Sequence, residues 1–213
     1  MQQINHEVVA IIDRSGSMRG KEDDTIGGIN STIEVLKNDK EKNTNMKMSV
    51  KLFDHEEIML FRSINLEDVR PIERRQFVPR GQTALLDAIG NSLTFFMEKK
   101  LLDPQSFDYC TIYIVTDGLE NCSKFYTSEK IKSLIQSAES KYNIKIVYLA
   151  ANQDAILEAS KYGISGDQAL SFNETSENTQ CAYRGVGNMV KRHRTGEHFG
   201  FSQAERSNAT QSH

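Results

Sequence analysis

Apolar positions fall into two kinds of pattern along the chain. Val8-Val9-Ala10-Ile11-Ile12, Tyr109-Cys110-Thr111-Ile112-Tyr113-Ile114-Val115 and Ile144-Lys145-Ile146-Val147-Tyr148-Leu149-Ala150 are nearly continuous apolar runs. Such runs predict strands buried on both faces, in a parallel sheet sandwiched by helices. Residues 46–53 instead alternate apolar and polar, as a half-buried strand does. Residues 58–64 read as the next strand. The link Asp54-His55-Glu56-Glu57 is too short for a parallel crossover, which needs about a dozen residues. These two strands are therefore expected as an antiparallel hairpin, the second at a sheet edge. Ala169-Leu170-Ser171-Phe172 predicts one more short strand.

Helical spacing marks the segments between. Ile26, Ile29, Ile33 and Leu36 form one face over residues 21–37, with Asp23 and Asp24 in the first turn, where negative charge suits the helix dipole. Gly27-Gly28 near its start either weakens this helix or lets a neighbour pack close. Leu85, Ala88, Ile89, Leu93, Phe96 and Met97 form a second stripe. Ile131, Leu134, Ile135 and Ala138 form a third, in a helix starting near Ser128. Asp154 opens a short helix ended by Gly163. Residues 178–193 carry a last stripe of Ala182, Val186, Met189 and Val190. Residues 40–44 read as a surface connection and 66–78 as an irregular one. The order predicts an α/β fold: a Rossmann-like, doubly wound, mostly parallel sheet with one antiparallel edge strand and helices on both faces. The domain is expected to span residues 1–194. Residues 195–213 read as a largely disordered tail, with docking of Phe199 and Phe201 as the alternative.

Composition narrows the class. A chain of 213 residues holds one α/β domain with a real core, and a net charge of −3 gives no global pull toward nucleic acid or anionic lipid. No apolar run approaches the roughly 20 residues that span a bilayer, and the first residues lack the pattern of a signal peptide. Three widely spaced cysteines argue against a disulfide framework. A cytoplasmic protein is expected (host cytoplasm, if the source is viral), with no membrane partner.

Chemistry concentrates where the buried strands end. The first is followed by Asp13-Arg14-Ser15-Gly16-Ser17, the Tyr109 strand by Thr116-Asp117-Gly118-Leu119-Glu120-Asn121. Open α/β sheets place ligands at the carboxyl ends of their strands, and a carboxylate with two hydroxyls suits a hard cation that takes oxygen ligands. The plainer account is a strand-to-helix turn whose Asp or Ser caps the next helix. Thr83, at the head of the second helix, has the same two readings: helix cap, or hydroxyl ligand. If the Asp13 and Asp117 strands are neighbours, their carboxylates leave one edge together, and Thr83 overhangs the same crevice.

D-R-S-G-S-M after a strand, G-Q-T-A-L-L-D-A-I before a helix and I-V-T-D-G-L-E-N after a strand together resemble the three loops of a von Willebrand factor A (VWA) domain. The resemblance covers roughly residues 5 to 193. The run 148–156 is similar to stand-alone bacterial and tailed-phage members rather than to secreted matrix or integrin members. In that family the loops form the metal-ion-dependent adhesion site (MIDAS), matched here by Asp13, Ser15, Ser17, Thr83 and Asp117. The resemblance implies Mg2+, with Mn2+ as an alternative, and an intracellular protein-binding module whose metal takes an Asp or Glu of a partner protein. It also implies partners such as AAA+ ATPases or larger assemblies. Arg14, Arg80, Glu120 and Asn121 are candidate rim residues, with solvated loop positions as the plainer reading.

No enzyme is expected. The loops supply no nucleophile–base pair, no phosphate-binding glycine pattern follows a strand, and Ser15 stands where a phosphoaspartate phosphatase would carry a second carboxylate. A Mg2+-dependent hydrolase or phosphotransferase in the same crevice is the first rival. A metal-independent structural or nucleic-acid-binding protein is the second. For the latter the basic run Lys191-Arg192-His193-Arg194 is the main candidate, though it also suits a helix C-terminus. Cys122, in the Asp117 loop, is read as an inert thiol.

Overall fold

Six strands form one sheet in the order β3-β2-β1-β4-β5-β6. The computed structural model describes residues 3–39, 43–151 and 154–211. Part of the connection 40–44, and Asn152 and Gln153 of the run 148–156, lie outside the described residues. The strands are β1 (Ile4–Asp13), β2 (Thr44–Phe53), β3 (Glu57–Asn65), β4 (Tyr109–Thr116), β5 (Ile144–Ala151) and β6 (Ala169–Phe172). The helices are α1 (Glu22–Lys37), α2 (Leu85–Leu102), α3 (Ser128–Tyr142), α4 (Ala155–Lys161), α5 (Ser176–Thr195) and α6 (Gln203–Thr210). All pairings are parallel except that of β2 with the edge strand β3. This is the mixed sheet expected from the short link after Phe53.

β1 is central because both its faces are apolar. Val8, Ala10 and Ile12 face one core layer with α1 and α5, while Val9 and Ile11 face the other with α2, α3 and α4. The close glycine in α1 is Gly28: a Cβ there would lie 2.3 Å from the Tyr183 ring of α5, whereas Gly27 faces open space. One of the pair lets α1 and α5 approach, and the other carries only the cost of a flexible helical residue.

The segment after Thr195 corrects the expectation of a disordered tail. Phe201 is buried and Phe199 packs partly buried against the same layer. Ser202 and Glu205 cap α6 reciprocally. Arg192 pairs with Glu205 at 2.9 Å, and Asn178 Nδ2 donates to the Ala209 carbonyl at 2.9 Å. The basic run at the end of α5 is drawn into this packing. Arg194 pairs with Asp39 at 2.6 Å, and His193 is buried. The helix was hidden from pattern reading because its sequence, Gln203 to Thr210, is polar apart from two alanines.

A candidate metal centre at the carboxyl edge of the sheet

β1 and β4 are adjacent, with Ile12 level with Val115. Asp13 and Asp117 therefore leave the same edge, one at the end of its strand and one just beyond. Asp13 is fully buried; its Oδ1 accepts the Ser15 N–H at 2.6 Å and its Oδ2 accepts the Thr116 hydroxyl at 2.6 Å. The Ser15 and Ser17 hydroxyls lie 2.9 Å apart, and Ser17 donates to Asp117 Oδ1 at 2.6 Å. Thr83 completes the group. A Cβ placed on Gly118 would lie 2.9 Å from Thr83 Oγ1, 3.3 Å from Ser17 Oγ and 3.4 Å from Asp13 Oδ2. Three loops thus aim oxygens at a space that only glycine at 118 leaves open. The donor set is entirely oxygen: two carboxylates and three hydroxyls. Among the described residues none of their hydrogen-bond partners is an imidazole or a thiol. The set fits a hard divalent cation.

Burial pushes the Asp13 carboxyl up to about 6, against the pull of the hydrogen bonds from Thr116 and Ser15. A carboxylate held in so unfavourable a place gains from a nearby cation. One cation is already close. Lys21 Nζ donates to Asp117 Oδ2 at 2.5 Å and also pairs with Glu174. Burial lowers the Lys21 pKa, but the bonds to Asp117 and Glu174 outweigh it and leave the ammonium above its ordinary value.

Thr83 is not a helix cap. The cap position of α2 is Ala84, which makes no side-chain cap bond. The loop after β4 does the capping instead. Glu120 Oε2 accepts the Leu86 N–H at 2.9 Å and Ser123 Oγ accepts that of Asp87 at 3.0 Å. In return Asp87 accepts the N–H groups of Lys124, Phe125 and Tyr126. This exchange leaves the Thr83 hydroxyl out of helix capping, and it binds the Thr83 loop to the Asp117 loop.

The four expected rim residues separate. Arg14 is buried, only 4% exposed, and pairs with Asp54 at 2.9 Å, so it does not line the rim. The residue after a strand end points inward here because Asp54, buried at the end of β2, needs a counter-charge. Arg80 is partly exposed and pairs with Asp54 at 3.0 Å and with Glu56. Glu120 caps α2, and its Oε1 also accepts the Cys122 and Ser123 N–H groups at 2.9 and 2.7 Å. Asn121 Oδ1 accepts the Thr83 N–H at 2.9 Å. Glu120 and Asn121 hold the loops in place. Cys122 has a raised pKa, from burial first and then from the Glu120 and Asp87 charges, which suppresses thiolate formation.

Sequence reading missed Asp54, Asp87, Thr116 and Lys21. Asp54 had a signal, since it too is a carboxylate directly after a strand. With His55 and Glu56 it offers three donor atoms within 4.8 Å of one another. Arg14 and Arg80 already balance it, so it reads as a brace between loops: Ala84 N–H donates to the Asp54 carbonyl at 2.9 Å, and Arg80 N–H to the Arg14 carbonyl at 2.8 Å.

No family model matches the chain. No curated protein matches it either. Solved structures match in fold. Proximal thread matrix protein 1 from the mussel byssus, described with a zinc-occupied MIDAS motif, aligns with a TM-score of 0.63 at 12% identity, over 89% of this chain and 48% of its own. A von Willebrand factor type A structure from Catenulispora acidiphila gives 0.61 at 17% identity, over 88% and 43%. BatB, a conserved hypothetical protein from Bacteroides thetaiotaomicron, gives 0.58 at 13%, over 89% and 98%. The chain spans less than half the length of the first two and nearly all of the third. At these identities the likeness is one of fold, a VWA-like α/β sheet.

Proposed function

We propose that this chain is a metal-dependent protein-binding module whose centre is Asp13, Ser15, Ser17, Thr83 and Asp117. The observation that carries the reading is the convergence of oxygens from three separate loops around Gly118. Mg2+ or Mn2+ would be held by these oxygens. The bound cation supplies an electrophilic position for a carboxylate, the Asp or Glu of a partner protein. Only Asp13 and Asp117 carry negative charge in the set; three neutral hydroxyls leave the cation's charge incompletely offset, and an incoming carboxylate completes it. The mussel structure with zinc at its MIDAS supports a divalent ion in this fold.

The chain acts by binding rather than catalysis. The Ser17 hydroxyl is bonded to Ser15 and to Asp117, a carboxylate already engaged by Lys21, and among the described residues no histidine hydrogen-bonds to the hydroxyls of the centre. An AAA+ ATPase or a larger assembly is the partner class that family resemblance implies, and the three free cysteines are in keeping with a cytoplasmic setting.

Thermal unfolding of the wild type and of Ser17→Ala, in EDTA and in a Mg2+ or Mn2+ titration, tests the site. A ligand bound only by the folded state stabilises by about 2.7 kcal/mol at a hundredfold excess over Kd. A metal-dependent rise in Tm in the wild type, lost in the variant, is expected. It is then followed by pull-down of partners with and without EDTA. No rise in the wild type, alone or with a glutamate peptide present, removes the metal mechanism and leaves only the fold.

A further inference from the structure

Lys21 sits at the entry to α1 and joins two carboxylates from distant parts of the chain. Its Nζ lies 2.5 Å from Asp117 Oδ2, and it also pairs with Glu174, in the link between β6 and α5. The three side chains differ in exposure in a way that decides which pair matters. Asp117 is 2% exposed, Lys21 27% and Glu174 30%. The buried carboxylate needs the ammonium; Glu174 is solvated enough to stand without it.

Lys21 and Ser17 meet different oxygens of Asp117. Ser17 occupies Oδ1 and Lys21 occupies Oδ2, and the three atoms nearest a Cβ on Gly118 belong to Thr83, Ser17 and Asp13 rather than to Lys21. The local charge follows. Asp13 and Asp117 supply two negative charges, and Lys21, shared with Glu174, returns part of one, which leaves a bound dication incompletely neutralised by its own ligands.

We propose that Lys21 is the residue that sets this centre's balance between metal and anion: it weakens the hold on the divalent cation and keeps that cation under-neutralised, so that a carboxylate from outside is required to complete it. Glu174 moderates the effect by sharing the ammonium with Asp117. The inference rests on the metal-site reading above. Its physical basis is that a cation touching one carboxylate of a metal site lowers the affinity of that carboxylate for any second cation.

The test is a Mn2+ titration, with free ion followed by electron paramagnetic resonance and unfolding followed in EDTA and in Mn2+. It uses the wild type, Lys21→Met, Lys21→Arg and Glu174→Gln. Methionine is tolerated by space, because the Lys21 stem lines a cavity of about 250 Å³ walled partly by Met18, Val115, Phe172 and Tyr183. Lys21→Met is expected to unfold at lower temperature in EDTA, since Asp117 loses its counter-ion, yet to bind Mn2+ on the order of tenfold more tightly. Lys21→Arg retains wild-type affinity. Glu174→Gln weakens Mn2+ severalfold, because the whole ammonium charge then falls on Asp117. A merely structural lysine predicts the opposite sign for Lys21→Met, looser metal together with lower stability. If the wild type binds Mn2+ and a folded Lys21→Met binds it no more tightly, the proposal is overturned while the metal site stands. If Lys21→Met does not fold, an unchanged Kd in Glu174→Gln overturns it. A wild type indifferent to Mn2+ removes the metal site and this proposal with it.

Discussion

Thr83 and Asn121 hold each other by two reciprocal hydrogen bonds. The Thr83 N–H donates to Asn121 Oδ1 at 2.9 Å, and the Asn121 N–H donates to the Thr83 carbonyl at 3.1 Å. The loop that carries the Thr83 hydroxyl and the loop of Asp117 are thereby fixed to one another, though neither strand end alone positions Thr83. Asn121→Ala removes one of the two bonds and leaves a partly buried N–H without its acceptor. It is expected to cost about 1–2 kcal/mol of stability in EDTA, and to move the midpoint of a Mn2+ titration to severalfold higher concentration. Chemical denaturation gives the first number and the titration the second. An unchanged midpoint would show that Asn121 serves folding alone.

Gly118 offers a sharper probe. Its backbone has an ordinary φ, so alanine meets no conformational penalty there, yet its Cβ would press on Thr83, Ser17 and Asp13 oxygens at 2.9–3.4 Å. Gly118→Ala is expected to lose the metal-dependent rise in Tm, with only a modest loss of stability in EDTA, about 1–3 kcal/mol from local overpacking. Retention of the full rise would mean that the cation is not held in the space beside Gly118.

The opposite end of the sheet sets the acid response. His6 Nε2 and His193 Nδ1 both meet the Thr111 hydroxyl, each at 2.9 Å. Burial, with the Lys145 charge adding to it, takes the His193 pKa down to about 3. Burial and then the His193 and Arg194 charges hold His6 well below the ordinary histidine value. Both rings stay neutral in the folded chain while the unfolded chain takes up protons from about pH 6.5 downward. The His193 contribution to stability is therefore complete above pH 6.5 and is lost as pH falls toward 3, by up to about 1.4 kcal/mol per pH unit, and His6 acts with the same sign. Asp13, raised to about 6, has the opposite sign: in EDTA it adds stability as pH falls from 6 toward 4. A variant separates the two. His193→Gln is expected to flatten the fall in urea-unfolding free energy between pH 6.5 and 5 by about one proton. An identical slope in wild type and variant would contradict this assignment.

Phe201 tests the C-terminal segment. It is 6% exposed and packs close to Gly185 of α5, where a Cβ would lie 3.0 Å from its ring. Phe201→Ala is expected to cost about 3 kcal/mol, with amide exchange across 203–210 accelerated. A loss below 0.5 kcal/mol would mean that α6 contributes little to the fold.

Much of this molecule was legible in its sequence because the relevant signals are local. Continuous apolar runs marked β1, β4 and β5. The short link after Phe53 forced an antiparallel pair, and the 3.6-residue stripes placed α1, α2, α3 and α5. The five oxygen-bearing residues were picked out by the resemblance of their three loops to those of a VWA domain, position alone leaving them open to a turn or cap reading. What the sequence left open was direction and partnership. Arg14 and Ser15 are adjacent in one loop, yet Arg14 turns into the protein because Asp54, beyond α1 and β2 in the chain, is buried beside it. Thr83 had two readings, helix cap or hydroxyl ligand, and in the structure Glu120 and Ser123 cap α2 instead of it. Lys21 looked like the first residue of an amphipathic helix, and only the sheet order brings Asp117 and Glu174 to it. The polar α6 carried no stripe of its own; its order comes from Phe201, Arg192 and Asn178, which it meets only once α5 is in place. Periodicity and turn chemistry act between near neighbours and survive in a linear reading. The pairing of a buried charge is decided by whichever opposite charge the fold delivers, and that depends on the whole sheet.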